Sequence, residues 1–142
     1  MTYPDDTDPE DYMPRVSAVV VKFLKLEVSV AIPPGDLAIN RAWRKTPDGM
    51  AKSAVYKDSR NLLRDELRLA YDGETYAGWV DVEIVEYWPD DKGDVDAPIK
   101  GVLDALQAAR VIEDDKRVRR VAATKFWDPN NPRLEVKVKS VR

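Results

Sequence analysis

Two helical patterns interrupt a series of extended apolar segments, and this alternation limits the fold more than any other feature of the sequence. The extended segments are rich in β-branched residues, and their apolar residues recur at every second position. The helical segments carry apolar residues along one side and charges along the other. We therefore expect a single domain of the α/β (α+β) class, in which two main helices pack on a mixed β-sheet. The predicted order is strand, helix, strand, helix, strand, strand, at about 16–32, 52–70, 79–88, 96–110, 118–127 and 134–139.

Turn-forming residues indicate how these elements are connected. Pro33, Pro34 and Gly35 end the first strand, and residues 35–51 are expected to form a loop with a turn at 47–49. A second turn at 128–132 predicts that the last two strands form a hairpin. In the first strand one face is predicted to carry Leu26, Val28, Val30 and Ile32.

Each helix has a predicted buried face and a predicted start. Pro98 suits the first turn of the second helix, and Asp96 just before it is placed to cap the free backbone amides. This helix is expected to end near Arg110. The predicted buried positions are Tyr56, Leu63, Leu67 and Ala70 in the first helix, and Ile99, Val102, Leu103 and Leu106 in the second.

Two residue types are missing from the chain, and their absence excludes several kinds of chemistry. The 142 residues contain no cysteine and no histidine, which removes disulfides, thiolate nucleophiles, structural zinc and serine–histidine relays. The six glycines form no phosphate-binding loop, so no nucleotide cofactor is expected. Any catalysis must come from carboxylates, lysines, hydroxyls or a hard metal ion.

The amino-terminal region differs from the rest of the chain in charge. Residues 1–15 carry a net charge of −4 and three prolines, and we expect them to be a disordered leader to a domain at 16–142. The apolar run at 16–32 is interrupted by Lys22, Lys25 and Glu27, so it is not expected to span a membrane or to act as a signal peptide. A cytoplasmic location without a membrane partner is the resulting expectation.

Two segments are locally basic although the whole chain carries −3. Residues 39–60 have a net charge of +4, and residues 110–125 have +3. Such segments are compatible with a polyanion-binding surface, while a simple solvated surface is the alternative.

An acidic cluster surrounds the start of the second helix. Asp94 and Asp96 are two residues apart, so both carboxylates can face one site, and Lys100 follows one helical turn later. Asp115 arrives just before the next strand and could complete a nest of three carboxylates. Such a nest needs a neutralising cation, and hard oxygen ligands favour Mg²⁺ or Mn²⁺. The alternative is a loop acid, a helix cap and a helical salt bridge.

These residues resemble the RusA family of Holliday-junction resolvases. The chain reads DVDAPIKGVLDAL from Asp94 and VIEDD from Val111, close to the family pattern D-x-D-N-x-x-K-x-x-x-D-A-L followed by an apolar-x-D-D. Upstream, the stretch from Ile32 to Arg44 is similar to the family's strand that ends in Pro-Pro, with a nearby asparagine and a basic-aromatic loop. The sequence departs at Ala97, where the family often has asparagine, and at 109–110, where it often has glycine after the helix.

The resemblance implies a homodimeric nuclease that binds four-way DNA junctions and nicks two opposed strands. It implies that Asp94, Asp96 and Asp115 are catalytic metal ligands and that Lys100 is a catalytic lysine at the scissile phosphate. Asp104 and Asp114 would have supporting roles. The DNA contacts implied are Asn40, Arg41, Arg44, Lys45, Lys52 and Lys57.

Two other functions stay open at this point. The same fold could be a non-catalytic DNA-binding module whose acids serve as caps and salt bridges. It could also be a metal-dependent nuclease that acts on flaps or other branched DNA.

Overall fold

The computed structural model of the chain describes residues 23–38, 43–46 and 49–141. The acidic leader, the first part of the predicted strand 16–32, and the residues Asn40 and Arg41 lie outside this part. Short 3-10 turns lie at Pro34–Leu37 and Asp115–Arg117. The main elements are β1 Lys25–Val30, β2 Trp43–Thr46, β3 Gly49–Lys52, α1 Ala54–Ala70, β4 Val80–Trp88, α2 Ile99–Ala108, β5 Val118–Trp127 and β6 Arg133–Ser140.

The main sheet is mixed, as predicted, and its strand order is β1-β6-β4-β5. β5 lies parallel to β4, whereas β6 lies antiparallel to both β1 and β4. The α2 helix connects the two parallel strands, which is the usual crossover between parallel neighbours in a sheet. The fold class predicted from the sequence is therefore confirmed.

The predicted hairpin between the last two strands is wrong. The chain turns after β5, passes β4 and adds β6 on the other side of β4. In that place β6 has a hydrogen-bonded neighbour along each edge, and Leu134, Val136 and Val138 are buried. If β6 lay outside β5, one of its edges would have no hydrogen-bonded neighbour. An exposed edge is unfavourable for a strand with strongly alternating apolar residues.

The region predicted to be a loop at 35–51 instead contains a small hairpin. β2 and β3 pair in antiparallel register, with Trp43 opposite Lys52 and Thr46 opposite Gly49. The sequence gives little strand signal here because β-branched residues are sparse in both segments. In β1 the predicted face is confirmed, since Leu26, Val28 and Val30 are all buried.

The two helices cover the same side of the sheet and close the core. Of the predicted face of α1, Tyr56, Leu63 and Leu67 are buried, but Ala70 is exposed at the end of the helix. α2 buries Val102 and Leu106, and its other predicted core residues Ile99 and Leu103 pack partly buried against the same cluster. No helix in the described ranges is long and apolar enough to cross a bilayer.

The predicted cap of α2 is wrong. The helix begins at Ile99 with Pro98 in the cap position, and no side chain in the described part of the chain caps it. Two backbone turns lead into it instead: Asp94 O accepts from Ala97 N at 3.0 Å, and Asp96 O accepts from Ile99 N at 3.2 Å. In the described structure, α2 therefore does not use the side chain of Asp94 or Asp96 as a cap.

The end of α2 lies at one of the departures from the family pattern. Arg110 N donates to Gln107 O at 3.0 Å and Val111 N donates to Leu106 O at 3.1 Å, which is the hydrogen bonding of a Schellman motif. Arg110 has φ 61°, so an arginine here adopts the left-handed conformation that glycine adopts more easily. This end directs the chain back towards Asp115.

Gly101 sets how closely α2 approaches the rest of the core, and its replacement should destabilise the protein. A Cβ at position 101 would lie 2.8 Å from Leu37 O and 2.9 Å from Leu37 Cβ. We expect Gly101→Ala to lower the free energy of unfolding by about 1–3 kcal/mol in urea denaturation, despite the better helix propensity of alanine. Gly73→Ala is the matched control, because its new Cβ would meet only the movable Tyr71 ring at 3.2 Å. A Gly101→Ala variant as stable as the control would contradict this packing.

Candidate active site

Lys100 is the centre of a charged cluster on the first turns of α2. Its Nζ atom lies 3.1 Å from Asp115 Oδ2 and 3.2 Å from Asp104 Oδ1. The bond to Asp115, followed by the bond to Asp104, raises the pKa of the Lys100 ammonium group above its usual value. The lysine therefore stays positively charged between two acids, with its side chain about half exposed.

Asp115 reaches Lys100 because the chain returns along α2 before it enters β5. The backbone N of Asp115 donates to Gln107 Oε1 at 2.6 Å, which holds the start of the 3-10 turn against the helix. Asp114 caps the same turn, since its Oδ1 accepts from Lys116 N at 2.7 Å. Asp114 thereby orients the turn that presents Asp115 to Lys100.

Asp104 connects the cluster to the core. Its Oδ2 atom accepts a hydrogen bond from the Tyr56 hydroxyl at 2.7 Å, while its other oxygen faces Lys100. Tyr56 is 1% exposed, and burial together with the bond to Asp104 raises the pKa of its hydroxyl. Asp104 is therefore held from two sides and fixes the position of the Lys100 ammonium group.

Asp94 and Asp96 lie in the turns between β4 and α2, and both are exposed. Within the part of the chain that the structure describes, neither side chain makes a hydrogen bond or an ion pair. The helix cap that would have explained them structurally is not formed. Their carboxylates are therefore available to a ligand.

The predicted metal ligands are all aspartates, but in the described structure they do not form a metal-binding group. Among residues 23–38, 43–46 and 49–141, no three acidic side chains lie close enough to hold a metal ion. Asp115 is instead paired with Lys100. Carboxylate oxygens, including one buried oxygen described below, are nevertheless the donors that a hard divalent cation prefers. The ligand set Asp94, Asp96 and Asp115 stays a prediction.

Glu86 is a buried acid that the sequence analysis missed. Its side chain is 0% exposed, its Oε1 accepts from Trp88 Nε1 at 2.8 Å, and its Oε2 has no hydrogen-bond partner among the residues that the structure describes. Burial raises the pKa of Glu86 to about 7; the charge of Asp96 acts in the same direction, and Trp88 and Lys125 act against it. The signal was present in the sequence, because Glu86 occupies the apolar face of β4 that Val82 and Ile84 define.

The loop that precedes Asp94 is anchored by residues around Glu86. The Trp88 ring packs directly on Gly93, where a Cβ would lie 1.9 Å from the ring. The Lys125 ammonium group donates to Gly93 O and lies 5.9 Å from the centre of the Trp88 ring. These contacts determine where the chain emerges at Asp94.

Only part of the predicted DNA surface can be placed. Lys57 is exposed on the first turn of α1. The backbones of Arg44, Lys45 and Lys52 belong to the β2–β3 hairpin, but their side chains, like Asn40 and Arg41 entirely, lie outside the described part. These DNA contacts stay predictions.

Comparison with known proteins supports the resemblance seen in the sequence. A family model described as "Endodeoxyribonuclease RusA" matches residues 34–139, which is most of the 142-residue chain. The matched range includes Lys100, all the acids of the cluster and the β2–β3 hairpin. A search of curated proteins finds no match.

Replacement of Glu86 by glutamine should change the stability of the metal-free protein in a pH-dependent way. The folded protein holds the Glu86 proton up to about pH 7, against an ordinary value of 4.5. Since the folded state binds more protons in this window, the contribution of Glu86 to stability falls as pH rises through it. Glu86→Gln should therefore be more stable than the wild type at pH 8, on the order of 2 kcal/mol, and closer to it at pH 5.

The measurement is urea denaturation of both proteins at the two pH values. Glu83→Gln, on the exposed face of the same strand, is the matched control and should show no such difference. An equal effect of Glu86→Gln at pH 5 and pH 8 would show that the buried carboxyl does not titrate in this range.

Proposed function

The chain belongs to the RusA family of endodeoxyribonucleases, and we propose that it resolves Holliday junctions by paired symmetric nicks that depend on Mg²⁺. Family membership makes it an endonuclease acting on DNA and sets aside the non-catalytic binding module. The observation that carries the proposal is the Lys100 ammonium group held by Asp115 and Asp104, on a helix that is preceded by two exposed aspartates with no ion pair among the described residues.

The metal ligands in this proposal are Asp94, Asp96 and Asp115. Mg²⁺, or Mn²⁺ in its place, would supply a bound water of lowered pKa and would polarise the phosphodiester. The three carboxylates repel one another, so a divalent cation stabilises their approach. Asp114 and Gln107 hold the segment of Asp115 in place for this role.

Lys100 is proposed to contact the scissile phosphate. Its raised pKa keeps it protonated at neutral pH, as an electrostatic partner of phosphate requires. Asp104 is held by Tyr56 and keeps its contact with the Lys100 ammonium group when bound DNA separates that group from Asp115. Asp104 is thus a positioning residue for Lys100.

DNA binding is proposed to involve the hairpin and the adjacent helix. Lys57 is exposed at the start of α1, which follows directly from β3. Basic side chains at such positions neutralise phosphates and orient the duplex without reading its sequence. The proposed contacts are Asn40, Arg41, Arg44, Lys45, Lys52 and Lys57.

The chain is further proposed to act as a homodimer. Two coupled nicks in opposed strands need two active sites, and a C2 dimer presents them symmetrically to a four-way junction. A location in the cytoplasm of a bacterial or phage-infected cell, where branched DNA occurs, is also proposed.

A synthetic four-way junction tests the reaction. We expect Mg²⁺-dependent symmetric nicks that vanish with EDTA and with Asp94→Asn, which removes a charged oxygen ligand. Asp91→Asn, an exposed acid in the same loop, is the matched control and should cleave like the wild type. Cleavage that persists in Asp94→Asn would contradict the metal assignment. Equal or faster cleavage of a flap or a linear duplex would instead support a nuclease of different substrate.

Lys100→Ala should slow cleavage about 10²-fold under single-turnover conditions, because a preorganised charge at the phosphate is lost. The matched control is Lys92→Ala, an exposed lysine in the preceding loop. Junction affinity measured without metal should change much less than the rate. A Lys100→Ala variant that cleaves at the wild-type rate would show that Lys100 has only a structural role.

A further inference from the structure

The side of the main sheet that faces away from the helices carries basic residues in register at one end. Lys25 of β1 lies beside Lys139 of β6, and Lys139 lies beside Asp81 of β4. Asp81 in turn lies beside Arg120 of β5. We propose that the three cations, Lys25, Lys139 and Arg120, form a basic row that binds one duplex arm of the branched DNA substrate. This inference rests on the proposed function and adds a DNA contact surface outside the active-site cluster.

Asp81, the acid that lies between these cations, is already paired. Its Oδ2 atom accepts from Arg119 Nη2 at 2.8 Å, and its Oδ1 atom accepts from Arg119 Nε at 3.1 Å. One guanidinium group therefore engages both carboxylate oxygens. Lys25, Lys139 and Arg120 are exposed, and none of them forms an ion pair with a residue that the structure describes. The basic row thus keeps three positive charges that are available to an anionic ligand.

Stability does not explain the basic row. Lys25 and Lys139 lie directly opposite each other in the antiparallel register of β1 and β6, and like charges in such a pair destabilise a sheet. Two residues further along β6, Lys137 lies between Glu27 and Glu83, and its Nζ atom is 3.9 Å from Glu27 Oε2. Opposite charges therefore alternate across the strands at Lys137 but not in the basic row. Binding of an anion accounts for this difference.

The shape and spacing of the basic row fit a DNA backbone. A depression of about 400 Å³ lies on this side of the sheet, and the three cations and Asp81 border it. Leu26 and Val82, which neighbour the row in sequence, are buried in the core, so the row faces away from the helices. With strands about 4.8 Å apart, Lys25 and Arg120 are separated by about 14 Å. One strand of duplex DNA carries about four phosphates over this length.

The basic row lies at the end of the sheet that is nearest in sequence to the active-site cluster. β5 begins at Val118, directly after the turn that presents Asp115 to Lys100. Asp115 and Arg120 are five residues apart, so their Cα atoms are separated by at most about 18 Å. Lys100 belongs to a helix on one side of the sheet, whereas the row faces the other side. A straight duplex passes along one side, but the arms of a branched substrate can contact both.

Binding of a synthetic four-way junction to the intact chain without metal tests the inference. We expect the triple variant with Lys25→Gln, Arg120→Gln and Lys139→Gln to bind the junction about tenfold more weakly or worse at moderate salt. The slope of log affinity against log salt concentration should become shallower by about 2–3, because each lost phosphate contact contributes about 0.9. Affinity for a linear duplex of the same arm sequence should fall less. The melting temperature should be no lower than that of the wild type, since repulsion within the row is removed.

Two single variants on the same side of β6 provide a matched comparison. Lys139→Gln and Lys137→Gln remove the same charge two residues apart in one strand. We expect Lys139→Gln to weaken junction binding and to lower the salt slope by about 1. Lys137→Gln should bind almost like the wild type, because Glu27 and Glu83 already offset its charge. Equal effects of the two variants would reduce the row to a general charge effect and overturn the inference.

The outcomes separate this inference from the proposed function. Wild-type junction affinity in the triple variant would overturn the inference, and so would an equal loss of affinity for the junction and the linear duplex. A lower melting temperature of the triple variant would assign the row a structural role and would also overturn it. A wild-type protein that binds the junction through the basic row but does not cleave it with Mg²⁺ would overturn the proposed reaction and support the row as a DNA contact.

Discussion

The parallel pairing of β4 with β5 determines where the charged residues of the site lie. Because the strands are parallel, the chain must cross from the end of β4 to the start of β5, and α2 makes that crossing. The crossing begins with the turns of Asp94 and Asp96 and ends with Asp115. α2 lies between them, so Lys100 on its first turn is placed to meet an acid from the return segment.

Electrostatics then limits what this arrangement can do. Lys100 neutralises part of the charge of Asp104 and Asp115, while Asp94 and Asp96 have no positive partner in the described part of the chain. Glu86 adds a buried carboxyl whose pKa is raised to about 7. Like charges close together repel one another, and a cation or a metal-bound phosphate would lower this repulsion. The cluster is therefore better explained by binding chemistry than by stability.

The errors in the sequence analysis have physical causes. The hairpin of the last two strands was predicted because neighbouring strands in sequence often pair, but β6 gains two paired edges by lying between β1 and β4. The cap at Asp96 was predicted from residue preference alone, whereas backbone turns at Ala97 and Ile99 lead into α2. Glu86 interrupts the apolar face of β4, but the alternation by itself does not show that this end of the strand is buried.

Local patterns in the sequence determined the types of most elements and favoured the contact of Lys100 with Asp104, since a spacing of four residues places both on one side of a helix. The absence of cysteine and histidine restricted the chemistry to acids, lysine and hard ions. Only the tertiary structure decided that Lys100 meets Asp115, that β6 lies beside β4, and that Glu86 is buried with its Oε2 atom unpaired among the described residues. These three features depend on contacts between segments that are distant in sequence. Such contacts leave no periodic pattern in the sequence, because which of them form depends on the free energy of the whole fold.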